Sequence, residues 1–302
     1  MNTGAVILRP TGEMSTMPDT QPPQPGSVWQ QLLADRSGMA GLLLIALFAL
    51  VCVLVWLGLA GQGWAQADGG RWEASSTAHW LGTNVLGQDI FQRSVYSVKV
   101  AFEIGMLVTL CSGLVGVFTG AVAGWYRDSW LDEAIVLLMG IMDSIPFYLF
   151  VAALAYALRG YAFAMQLAMI ACFWTTTARL VRAEVLRLRE QEFVLSARLL
   201  GLPGWKVLLR HVLPNTGHVV LAQSAIVFAA AIKAEVILSF LGLGVQNGVS
   251  WGLMLAESTQ EVLAGQFNNF WAASLPLFAL LLGFNLLADA LQSALDPRQL
   301  PT

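Results

Sequence analysis

Few residues in this chain could carry covalent chemistry, and their spacing defeats most reactions. One literal Gly-x-Ser-x-Gly occurs, at Gly248-Val249-Ser250-Trp251-Gly252. A serine nucleophile in that pattern sits on a strained strand-to-helix turn and needs an acid and then a histidine further along. No histidine follows His218. The lysines are Lys99, Lys206 and Lys233, and none follows a glycine, so no phosphate-cradling loop ending in Gly-Lys-Ser/Thr is present. His79, His211 and His218 make no metal-binding spacing. Cys52, Cys111 and Cys172 lie in apolar runs, where thiols pack as small hydrophobes rather than as a disulfide framework or metal cluster. Asp143 is the lone aspartate deep in an apolar run, so a paired-aspartate protease lacks its second acid. No catalytic residue, metal or cofactor of its own is expected. Any energy for work must arrive from outside the chain.

The elements around these residues are apolar. Of 302 residues, 57% are hydrophobic and 12% charged, about half the charge a soluble domain needs to cover its surface, which points to lipid as the main solvent. No Asp, Glu, Lys or Arg occurs in 37–67, 104–126, 160–178 or 262–288. Two further apolar stretches are interrupted sparingly, 134–158 by Asp143 and 212–256 by Lys233 and Glu235. A spanning helix needs roughly 20 apolar residues, so six spans are predicted, with cores near 40–60, 101–125, 133–157, 161–181, 217–243 and 270–290. The first starts too far into the chain, is too long and lacks the basic flank of a cleaved signal peptide. The proline-rich segment before it reads as disordered, with a short interfacial piece at Val28-Trp29-Gln30-Gln31-Leu32-Leu33.

Six spans put both termini on one side. Arg179, Arg182, Arg187, Arg189, Arg198, Lys206 and Arg210, all in one loop region, are seven of the sixteen basic residues, so the positive-inside rule makes that side cytoplasmic. The expected organisation is a cytoplasmic tail over 1–38, a first span over 39–61, an external loop over 62–100, and a five-helix core over 101–298. A second external loop, about 244–268, holds Trp251, Glu257 and Glu261. Gly116, Gly120 and Gly124 make two overlapping GxxxG steps, which predict close helix packing in the bundle.

The cytoplasmic segment 182–215 is patterned beyond the needs of a connector. Phe193, Ala197 and Leu200 recur on one helical face, Gly201 supplies a stop, and Pro203 suits the first turn of a second helix. Trp205, Leu208, Leu209 and Val212 form an apolar stripe in that second helix, and Pro214 is expected to end it. On periodicity alone, a hairpin lying on the membrane surface and a knob that docks into a partner are equally good readings.

Ser196-Ala197-Arg198-Leu199-Leu200-Gly201 followed by Leu213-Pro214-Asn215 resembles the Glu-Ala-Ala loop of ABC-type importer permeases, with the glycine-to-Leu-Pro spacing intact. Leu195 stands at the Glu position, Ser196 at the first Ala, and His211 at a usually hydrophobic one. Leu81-Gly82-Thr83-Asn84 with Gly87-Gln88-Asp89 and Arg93 is similar to the post-span segment of the dipeptide, oligopeptide and nickel branch. There Asn84 and Gln88 replace a charged pair. Glu235 to Gly244, Trp251 to Leu255, and Asp289-Ala290-Leu291 with Ala294 to Arg298 also agree. Span three departs most: Leu137 and Gly140 stand where that branch has Arg and Asp, while Asp132 and Pro146 are kept.

This resemblance implies an all-α polytopic protein of the type I importer-permease fold, one peripheral helix plus five core helices, in a bacterial inner membrane. It implies ATPase coupling through Ser196, Ala197, Gly201, Leu202, Trp205, Leu209, Leu213 and Pro214. The implied partners are a homologous permease, two ATPase subunits that bind the ATP and magnesium, an external solute-binding protein, and lipid, with no nucleic acid. Peptides are the expected cargo, with nickel, opines and antimicrobial peptides as alternatives. An ion-coupled secondary transporter would need inverted repeats, and none is evident; a non-transporting membrane scaffold is a third reading, which a docking knob disfavours.

Ionisable residues inside spans usually face a cavity or bundle interior. Lys233, Glu235 and Asp143 are therefore candidate pathway or gating residues. Lys233 and Glu235 point about 200° apart on a helix and need not pair. Asp143, three residues before Pro146, is expected to satisfy backbone freed by the proline.

Overall fold

The computed structural model describes residues 35–158, 160–161, 163–245 and 248–295. The interfacial piece at 28–33, Arg159 and the Asp296-Pro297-Arg298 match lie outside the described residues. Among them there is no strand, only one isolated antiparallel bridge between Thr83 and Asp89. The protein is an all-helical polytopic membrane protein.

Short polar residues start the helices. The side chain of Asp35 accepts from the backbone N–H groups of Ser37 and Gly38 and caps α1 (Arg36–Trp56). Asp89 does the same for α2 (Ile90–Trp125) by accepting from Gln92 at 2.9 Å. Ser129 opens α3 (Trp130–Ser144). Then follow α4 (Phe147–Ala157) and α5 (Ala164–Leu188). The short α6 (Glu192–Leu199) and α7 (Gly204–Val207) lead into α8 (Gly217–Phe240). The chain ends with α9 (Trp251–Leu263) and α10 (Asn268–Leu295).

Among the described residues, five helical stretches are long and apolar enough to cross a membrane, and α3 with α4 supplies a sixth if the bent pair counts as one span. The single straight span expected over 133–157 is thus two helices, bent by 94°. The cause is Pro146, which has no N–H to continue the ladder and pushes Ile145 to extended backbone.

Two other boundaries moved. The second span begins at Ile90, not near 101, because Arg93, Ser94 and Ser97, which read as loop, are buried in helix. Pro214 does not end the second elbow helix. The chain continues through a π turn (Leu208–Val212) and a 3-10 turn (Leu213–Thr216) directly into α8. Pro214 cannot donate to the preceding turn, and the Asn215 side-chain amide donates to the His211 carbonyl there at 2.6 Å.

The α2–α5 crossing is the most extensive helix pair, and the glycine triad makes it close. A Cβ on Gly116 would lie 2.6 Å from Thr177 Cβ, and one on Gly124 2.8 Å from the Arg182 carbonyl. The predicted glycine packing face is therefore real. A second core forms where α2, α8, α9 and α10 meet around Phe102, Phe228, Trp251 and Phe284. On the outside of the bundle, α1 lies against α10 and α2, with Gly41 set against the backbone of Gly283.

Candidate functional site

The elbow between α5 and α8 is built from a helix stop and an anchor. Gly201 has φ of 77°, the left-handed conformation that favours glycine. With it, the Gly201 N–H donates to the Arg198 carbonyl at 3.0 Å and the Leu202 N–H reaches the Ala197 carbonyl at 3.4 Å, closing the end of α6. Val194, Ala197, Val207, Leu208 and Val212 are buried against Trp125, Val181, Val185 and Leu188. The Arg198 guanidinium stacks over the Trp125 ring at 4.4 Å.

That anchor divides the expected apolar stripes between two sides. Phe193 and Leu200 do not share a buried stripe with Ala197, and Trp205 and Leu209 do not share one with Leu208. Val194 and Val207 take their places, while Phe193, Leu199, Leu200, Leu202, Trp205 and Leu209 are exposed, Leu199 by 89%. The side chain of Ser196 and the turn at Gly201 are also exposed, and no atom lies within 4 Å of a Cβ built at Gly201. The elbow thus holds two faces: one glued to α2 and α5, one apolar and open. Leu213 is half-buried and Pro214 exposed at its base.

Beneath the elbow, α3 is tied to α5. Arg182 donates to Asp132 through Nε at 2.7 Å and Nη2 at 2.8 Å, a two-pronged pair with the acid almost wholly buried. Sequence reasoning counted Arg182 only as a loop charge; its fifty-residue separation from Asp132 gave no local signal.

Of the three candidate membrane residues, no two meet. Glu235 is buried; Ser239 Oγ donates to it at 2.5 Å and lies 3.4 Å from Ser250 Oγ. Lys233 is exposed on the opposite side of α8, as the angular argument requires. Asp143 does not serve the proline break. It accepts from Thr175 Oγ1 at 3.1 Å and from Arg179, both on α5. Ser250 of the Gly-x-Ser-x-Gly caps α9 by accepting from the Leu253 N–H at 3.2 Å. Gly252 lets α9 approach the Val236 backbone of α8.

The substituted segment 81–93 forms a buried network. Asn84 is fully buried; its Oδ1 accepts from the N–H groups of Leu86 and Gln88, and its amide donates to Gln88 at 3.0 Å. Gln88 accepts from Arg93, whose Nη2 donates to Glu257 at 2.6 Å. The Val85 N–H donates to Glu261 at 2.9 Å. Burial pushes the Glu257 carboxyl up, against the opposing pull of Arg93. Neutral Asn84 and Gln88 thus keep the contact as an amide relay. Nearby, His79 Nδ1 lies 2.9 Å from Asp89, and that bond raises the imidazole above its ordinary value.

The pattern of the binding-protein-dependent transport system inner membrane component family matches residues 116–300. The dipeptide transport system permease protein DppC of Alkalihalophilus pseudofirmus is 31% identical, over 94% of this chain and 96% of that protein. DppC of Bacillus subtilis is 32% identical over 89% of this chain and 84% of its own, and OppC of the same organism, an oligopeptide transport system permease protein, is 30% identical over 90% of each. With its helical architecture and these full-length likenesses, the chain belongs to the family of binding-protein-dependent transport system inner membrane components, among the ABC-type peptide permeases.

Proposed function

We propose that this chain is one membrane half of an ATP-driven importer for short peptides, moved by separate ATPase subunits through the elbow at Gly201. The observation that carries the reading is the open apolar face of Leu199, Leu200, Leu202, Trp205 and Leu209 on an elbow already anchored from behind. Apolar patches of this kind on a rigid support mark protein-binding surfaces. The relatives' names, dipeptide and oligopeptide transport, support the cargo class. A homologous permease would complete the pathway, and an external binding protein would deliver the peptide. The elbow, Met1 and the C-terminus then face the cytoplasm, and the 57–89 loop faces outward. Closure of the ATPase pair shifts the elbow between two packed positions and rocks the bundle.

Within this reading Ser196, Ala197, Gly201, Leu202, Trp205, Leu209, Leu213 and Pro214 form the coupling region. Glu235, tied through Ser239 to Ser250, joins α8 to α9 as a structural or gating contact, while Lys233 and Asp143 stand on open faces as pathway residues. The test is co-purification with the ATPase subunits. Leu200→Asp and Trp205→Asp should release them and abolish uptake while the permease still inserts. A fully active transporter recovered without any ATPase would overturn the proposal.

A further inference from the structure

Two ion pairs join α3 to α5, and they are built differently. Asp132–Arg182 is closed, with the acid side chain 6% exposed. Asp143–Arg179 is open, with side chains 42% and 62% exposed. The first already braces the two helices, so the second is not needed for that purpose.

Its position makes the openness informative. Arg179 lies fifteen residues into α5 and nine from its end, about 23 Å and about 13 Å along the axis. Asp143 lies at the break in the α3–α4 span. Charges within a span that are turned to hydrocarbon are penalised by several kcal/mol, so this face adjoins water, a polar solute or a partner subunit. Other polar groups share it: Thr176 is exposed one turn before Arg179, and Gln223 of α8 donates to Thr176 Oγ1 at 3.4 Å. Thr175 holds the Asp143 carboxylate from below. Leu137 and Gly140 stand at the positions usually charged in the family's span three, and Asp143 lies outside both.

Resting on the importer reading above, we propose that Asp143 and Arg179 are a contact site for the two charged ends of a zwitterionic solute such as a short peptide. Arg179 takes the carboxylate, in the two-pronged geometry guanidinium allows, and Asp143 takes the ammonium. The exchange conserves charge: each resident group gives up its neighbour and gains an equivalent partner from the solute. Both groups are paired before and after the exchange, which lowers the cost of burying them.

The test uses the assembled transporter in lipid nanodiscs, without its binding protein, titrated with dialanine, N-acetyl-dialanine and dialanine amide by saturation-transfer NMR. Wild type should prefer dialanine over each blocked analogue by about tenfold or more, since a site built for a polar group rejects the analogue lacking it. Asp143→Asn should lose the discrimination against the N-acetyl compound and keep that against the amide. Arg179→Gln should do the reverse. Retained ATPase assembly checks that each variant folds; where one variant does not assemble, the wild-type ratios and the other variant decide. Equal binding of all three probes by wild type, or variants that weaken all three together, would overturn the site. The importer reading fails separately, if the complete wild-type complex shows no ATP-dependent uptake of dialanine.

Discussion

Arg182 grips Asp132 with two nearly equal hydrogen bonds, 2.7 and 2.8 Å, across fifty residues of sequence. The pair fixes the start of α3 to α5 directly behind the elbow. Asp132 also accepts from the Asp128 N–H at 3.2 Å, so the turn before α3 is held by the same carboxylate.

Removing one partner leaves the other buried and uncompensated. Arg182→Gln should destabilise the protein by about 3 kcal/mol, read as a lowered unfolding temperature in detergent. Arg182→Gln combined with Asp132→Asn should recover part of that loss. A double variant as unstable as the sum of the singles would show that the two residues do not interact.

The glycine face of α2 tolerates no added volume. Gly124→Val would place carbon 2.9 Å from Val185 Cβ and 2.8 Å from the Arg182 carbonyl. Overpacking of this kind typically costs about 1–3 kcal/mol, and thermal unfolding would measure it. Gly113→Val on the same helix, where nothing lies within 4 Å, should be silent.

Leu200→Asp and Trp205→Asp alter side chains that touch solvent rather than the elbow's anchor. Stability should change by no more than about 0.5 kcal/mol, while co-purification with ATPase subunits is lost. Val207→Asp, by contrast, should unfold the elbow, because it puts a carboxylate among Trp125, Val185 and Leu188. Intact ATPase binding by both exposed variants would remove the docking role.

His79 supplies a pH test. Asp89 raises its folded value, so the stabilisation is fully present below the imidazole's unfolded value and is lost as pH rises through the folded one. The loop should therefore protect better against proteolysis at about pH 5.5 than at about pH 8.5, a window spanning the usual histidine range. His79→Gln should flatten that difference. A His79→Gln profile identical to wild type would exclude the pair as its source.

Five of the apolar spans, the glycine packing face and the helix stop at Gly201 were legible in the sequence, because each depends on local composition or on one residue's backbone freedom. The buried faces of α6 and α7 were not. Periodicity puts Trp205, Leu208, Leu209 and Val212 in one apolar stripe, yet only Leu208 and Val212 of these four join Val207 in the cluster with Trp125 and Val185. Helical residues 90–100 were missed because Arg93 and Ser97 look solvated until Glu257 and Val249, more than 150 residues away, supply their partners. The Asp143 contacts with Thr175 and Arg179 are likewise tertiary, and the proline beside Asp143 drew attention to the wrong neighbour.

From Gly204 the backbone runs without an extended break to Phe240, helix into π turn into 3-10 turn into helix. Such a column behaves as a pushrod whose one compliant joint is the loosely wound turn over Leu208–Val212. On the proposed coupling, a displacement at Trp205 would be delivered at the far end, where Ser239, bonded to Glu235, lies beside the Ser250 cap of α9. Stiffening or loosening that joint should change how much of each stroke arrives there without altering either end.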